Sequence, residues 1–161
     1  MNEMAEQNRN IQRLYSLPVP YLYVLAIVTY YLLSFLHYFT LIELLGVDIE
    51  ENDIEQLGTG KIISALLVAP LLETLIFQFG IVGLLFKWTF FDEWKGLTIF
   101  ISASLFALSH NYQLHSIIYF FFGGVIFAQF YLIMRERKHA VWHTAALHIL
   151  INLCVLIKKS L

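Results

Sequence analysis

The chain has 161 residues, 59% of them hydrophobic and 14% charged, with a formal net charge of −2. Soluble domains run near about 45–50% apolar and about 25% charged, so an ordinary soluble domain is excluded and one membrane-embedded domain fits the length. No basic patch with interleaved aromatics is present, which argues against nucleic acid as a partner. The single cysteine, Cys154, excludes an internal disulfide and a multi-cysteine zinc site.

Residues 1–17 read as a polar, mixed-charge tail (Glu3, Glu6, Arg9, Arg13), and residues 18–161 as the membrane domain. The first apolar run, about Tyr21 to Val47, is too long for a signal-peptide core and lacks a clear cleavage site. It is expected to be a retained transmembrane helix, with Pro18 and Pro20 at its start. An acidic stretch, Asp48 to Gln56, and the pair Gly58 and Gly60 separate it from a second run, Lys61 to Phe86. The polar and aromatic connection Lys87 to Lys95 carries Trp88 and Trp94 as interface anchors. A third run, Gly96 to Ser109, is short for a span unless it extends through His110. A polar interruption, His110 to His115, follows it. The fourth run is Ser116 to Met134, the basic turn is Arg135 to His139, and the fifth run is Ala140 to Ile157. The expected fold is therefore an all-α, multi-pass transmembrane bundle of about five helices.

With five spans, Arg9, Arg13, Lys87, Lys95, Arg135, Arg137 and Lys138 share one side. Lys61, Lys158 and Lys159 lie on the other. The positive-inside rule then predicts a cell (inner) membrane protein with a cytoplasmic N-terminus.

The second run holds a carboxylate near its middle, Glu73. A charge at the bilayer centre costs about 3 kcal/mol on insertion scales, which the many Leu, Ile, Val and Phe residues of the run offset at roughly 0.3–0.6 kcal/mol each. Folding does not ask for Glu73, so it marks a functional site whose partners lie elsewhere in the chain. His110 ends the third run. His148 and Asn152 are spaced i, i+4 on one face of the fifth. These four polar residues are best satisfied by converging inside the bundle. A carboxylate beside an imidazole can deprotonate water, and a second imidazole with an amide can stabilise an oxyanion. Glu73, His110 and His148 also form a zinc-type donor set, although no HExxH pair is present. His37, His143 and Gln129 read as interhelical hydrogen-bond partners. Glu43 reads as an interface residue and His115 as a loop or interface residue.

At these residues the sequence resembles the CPBP (CAAX protease and bacteriocin-processing, or Abi) family of intramembrane glutamate proteases, which includes the type II CAAX prenyl endopeptidases. Pro70 to Gln78 occupies the place of the family's EExxxR motif. Phe106 to His110 matches FxxxH, and His148 to Asn152 matches HxxxN. The resemblance covers about 61–157. It implies an intramembrane endopeptidase in which Glu73 is the water-activating base, His110 its partner, and His148 with Asn152 the oxyanion donors. It further implies no required metal or cofactor, a peptide or protein substrate at the membrane, and the lipid bilayer as surroundings. The alternative on the same scaffold is a catalytically silent binding or bacteriocin self-immunity protein. Two positions depart from the pattern: Thr74 stands for the second glutamate and Gln78 for the arginine, so a neutral pair at i, i+4 replaces an ion pair.

Overall fold

A computed structural model of the chain describes residues 14–46, 58–110 and 114–160. The acidic stretch Asp48 to Gln56, most of the N-terminal tail, and Asn111 to Gln113 lie outside the described residues. Every regular element among those described is helical.

Helix α1 runs Val19–Phe39. Pro18 is its N-cap and Pro20 sits in its first turn, where proline fits because no internal N–H bond is needed. A single π-helical turn, Thr40–Leu44, continues it. Helix α2 is the 27-residue Thr59–Leu85, with Gly58 at its N-cap. A short helix α3, Thr89–Glu93, leads to α4, Lys95–Leu108. Helices α5, Leu114–Arg135, and α6, Ala140–Ser160, complete the bundle.

Among the described residues, four helices are long and apolar enough to cross a membrane. The third run is the exception. It ends at Leu108 and is only 14 residues long, or about 21 Å at the rise of an α-helix. Among the described residues there are therefore four full-length candidate spans and one short apolar helix. This is a multi-pass membrane protein.

Burial explains the arrangement. The apolar window of α5 is 56% buried, against 17% for α1, so α5 is the central helix and α1 a peripheral one. Leu22, Ala26 and Tyr30 follow one another at i, i+4 on the buried face of α1. The opposite stripe (Tyr21, Val24, Val28, Leu32, Phe35) is exposed, as suits lipid. The core joins that buried face to Phe77 of α2, Phe106 of α4, Phe127 and Phe130 of α5, and Leu147 and Ile151 of α6.

Helix α4 packs closely on α5 because both offer small residues. A Cβ added to Gly124 would lie 2.9 Å from the Ala103 Cα, so only glycine allows this approach. The α5–α6 turn passes through His139 in the left-handed region, with φ 65°. Polar contacts gather the chain segments at that end. Arg137 donates to the Tyr15 and Leu17 carbonyls, each at 2.6 Å. The Arg135 guanidinium sits 4.5 Å above the Phe86 ring. The start of α1, the end of α2 and the α5–α6 turn thus lie together, as the grouping of basic residues anticipates.

Candidate active site

Helix α2 is not a regular α-helix. Two π-helical stretches, Ser64–Val68 and Thr74–Val82, flank the α-helical turn Ala69–Glu73. π-Turns place an extra residue in the turn and loosen the carbonyl ladder, and they recur at functional sites. A side chain from a neighbouring helix captures a carbonyl in each stretch. Asn152 Nδ2 of α6 donates to the Ala65 carbonyl at 2.9 Å. Ser102 Oγ of α4 donates to the Phe77 carbonyl at 2.9 Å. Glu73 lies between these two attachments, so its height is fixed against the same helices that bring the two histidines.

His110 follows the last turn of α4. Its ring stacks on Phe120 with centroids 3.9 Å apart and planes at 17°. Nδ1 is 2.9 Å from the Phe106 carbonyl. A carbonyl only accepts, so Nδ1 carries the proton and Nε2 is the acceptor of the neutral ring. That Nε2 lies 3.9 Å from Glu73 Oε1. His148 stacks on Phe127, centroids 4.1 Å apart. Its Nε2 lies 3.6 Å from Glu73 Oε2. Both separations exceed a direct hydrogen bond and suit a bridging water or substrate atom.

The four residues expected from sequence face one cavity of about 310 Å³. Glu73, His110 and His148 meet there through the contacts above. Asn152 also lines it, with one of its two N–H groups already committed to Ala65. Sequence reading missed the rest of the wall. Tyr30 of α1 and Tyr119 of α5 line the cavity and hydrogen-bond to each other through their hydroxyls. Phe106, Phe120 and Phe127 supply an apolar aromatic surface. Aromatic residues are frequent throughout this chain, so nothing in the sequence singles these out. His143 belongs elsewhere, as its offset from His148 suggests: Tyr23 Oη donates to its carbonyl at 2.9 Å, tying α1 to α6.

Thr74 and Gln78 give a different result from the neutral hydrogen-bonded pair that their spacing suggests. Both are fully buried. Thr74 Oγ1 and both amide atoms of Gln78 have no hydrogen-bond partner among the described residues. The i, i+4 pairing belongs to an α-turn, and these residues occupy the π-helical stretch instead. An unsatisfied buried polar group costs about 1–3 kcal/mol, and an apolar replacement of similar shape removes that cost. Gln78→Met is therefore expected to raise the melting temperature in detergent by several degrees. A lower melting temperature would show that the amide is satisfied in the folded protein.

The family model for type II CAAX prenyl endopeptidase Rce1-like proteins matches residues 56–154. The chain belongs to this family. No curated protein and no solved structure matches it. At the family level this chain is an intramembrane protease of the CAAX type, with a peptide as its substrate class. The matched segment holds all of α2 and α4 and carries the four candidate site residues. Helix α1 lies outside it. Tyr30 therefore brings to the cavity of this family member a wall that the matched segment does not contain.

Proposed function

We propose that the chain is an endopeptidase that hydrolyses a peptide bond near the membrane with a water activated by Glu73 and His110. The observation that carries this reading is the Glu73 carboxylate set between two imidazole nitrogens, at 3.9 and 3.6 Å, on the wall of one cavity. In its ionised form Glu73 accepts one O–H of the water, and the acceptor Nε2 of His110 takes the other. The water lone pair is then directed at the scissile carbonyl. As the C–O bond forms, Glu73 takes the water's proton and passes it to the departing amine. The carbonyl oxygen gains charge in this step. His148, with its proton on Nε2 facing the carboxylate, and the second N–H of Asn152 are the available donors to it. A silent scaffold would hold Glu73 and His110 apart or seal them by packing, so their shared cavity favours the hydrolase.

The test is purified protein in nanodiscs against a library of membrane-anchored peptides, with Glu73→Gln as the control. Cleavage by wild type and not by the control supports the reading; equal cleavage by both overturns it. Metal independence is a separate expectation, since two histidines and a carboxylate also form a zinc donor set. Dialysis against a strong chelator is expected to leave turnover intact. Loss of turnover with recovery on added zinc would assign the site to a metal.

The proposed orientation puts the basic end, with Arg135 and Arg137, on the cytoplasmic side of a cell (inner) membrane. A reporter inserted at Glu136 is expected to read cytoplasmic and one fused after Leu161 extracytoplasmic. The same side from both would mean that α6 does not cross.

A further inference from the structure

Pro70 is fully buried in the middle of α2 and is not among the residues that line the cavity. Its effect lies one turn earlier. A proline inside a helix has no N–H, and its ring collides with the carbonyl of residue i−4, here Leu66. The preceding turn relieves that collision by widening into the π-helical Ser64–Val68. In the widened register the Ala69 N–H bonds back to the Ser64 carbonyl, five residues away. The next bond of that register would run from residue 70 to Ala65. Proline cannot make it. Ala69, the α-helical donor for the same carbonyl, is already committed. The Ala65 carbonyl is therefore left to a donor from outside the helix, and Asn152 Nδ2 supplies one at 2.9 Å.

We infer that Pro70 is a positioning residue that reserves the Ala65 carbonyl for Asn152 and so fixes the amide at the cavity wall. It rests on the peptidase reading in one respect, that Asn152 acts on the reaction. Its chemistry is local. Ala65 is exposed at the cavity wall rather than packed in the core, and at membrane depth a carbonyl without a partner is costly, so the withheld N–H makes the Asn152 contact the favoured way to satisfy it. One N–H of the amide is pinned, which orients the other. Asn152 also lies one turn from His148, so the same bond holds the His148 face of α6 at the level of Glu73. An N–H restored at position 70 would compete for the Ala65 carbonyl and let Asn152 turn away.

The experiment is a double-mutant cycle on Pro70→Ala and Asn152→Ala in detergent-purified full-length protein. In the chain with Pro70, Asn152→Ala is expected to lower the melting temperature by about 2–4 °C, the effect of one hydrogen bond in a protein of this size. In the Pro70→Ala background the same change should have no measurable effect, because a backbone donor has replaced the amide. Additive shifts would overturn the inference. In the kinetic arm each single variant should lower kcat with KM unchanged, and the double variant should match Asn152→Ala alone. Multiplicative losses in kcat, or a loss confined to KM, would overturn it. Should Pro70→Ala not fold, the Ala65 carbonyl resonance serves instead: ¹³C-alanine with ¹⁵N-leucine labelling reports the three Ala–Leu bonds, Ala65–Leu66, Ala107–Leu108 and Ala146–Leu147, and the Ala65 signal is the one that Leu66→Ile removes. With Pro70 in place, Asn152→Ala should shift that resonance towards the non-bonded range. An unmoved resonance would mean that a backbone donor already serves the carbonyl. A wild type inactive on every peptide would count against the peptidase reading alone, because the melting and resonance arms need no turnover.

Discussion

Glu73→Gln leaves a folded protein whose peptide turnover is at least about 100-fold lower, the loss expected when a general base is removed. The amide keeps the shape of the carboxylate and still occupies the gap between His110 and His148, but it cannot take a proton from water. Folding survives because neutralising a carboxylate inside a membrane helix lowers the cost of inserting it. His110→Ala is expected to reach a similar loss in kcat by another route. It removes the Nε2 acceptor and also the ring that stacks on Phe120, so the melting temperature falls as well. The check is kcat and KM on one cleaved peptide, with thermal unfolding on the same samples. A Glu73→Gln protein that cleaves at the wild-type rate would end the water-activation scheme.

Gly124→Ala and Gly123→Ala, one residue apart on α5, should differ sharply. At Gly124 the new Cβ would lie 2.9 Å from the Ala103 Cα and 3.0 Å from the Phe106 ring. The nearer contact is backbone and cannot turn aside, so α4 must move away from α5. Overpacking of this kind costs about 1–3 kcal/mol, or roughly 2–12 °C in melting temperature for a chain of this length. Activity should fall too, because Phe106 supplies the carbonyl that holds His110 Nδ1. At Gly123 the nearest atom would be Tyr30 Cε2 at 3.6 Å, an ordinary van der Waals contact. Gly123→Ala should therefore fold like wild type. Equal melting temperatures for the two variants would show that α4 and α5 do not approach as closely as described.

The membrane makes some of this protein easy to read from its sequence. Long apolar runs set the helices, and an ionisable residue inside one of them has few explanations, so Glu73 was visible from position alone. His110 and His148 followed because a buried carboxylate needs polar neighbours, and the structure brings all three side chains to one cavity. Other features depend on backbone detail that residue spacing does not carry. Pro70 signals a disturbance of α2, but it does not say that the helix will widen rather than kink, nor that Asn152 will take up the freed carbonyl. The pairing of Thr74 with Gln78 assumed a regular α-turn where the chain is wound more loosely. Tyr30 and Tyr119 reach the site from helices that show no chemical motif. Ser102, a hydroxyl in an apolar run, gives no sign that it serves the Phe77 carbonyl of another helix.

The brevity of α4 bears on how the proposed hydrolytic centre would be hydrated within hydrocarbon. A membrane core is about 30 Å thick, and a 14-residue helix supplies about 21 Å. The shortfall of about 9 Å has to be met at the ends of α4, and His110 stands at one of those ends, just ahead of the polar residues Asn111 and Gln113 in the sequence. A full-length span would have carried apolar side chains past this depth and kept the aqueous phase at the headgroups. Stopping early lowers the local thickness that water must cross, by thinning the adjoining leaflet or by admitting solvent above the helix end. Bilayer thickness then becomes a control on the supply of one reactant. Lengthening the acyl chains of the surrounding lipid should slow turnover without altering the protein.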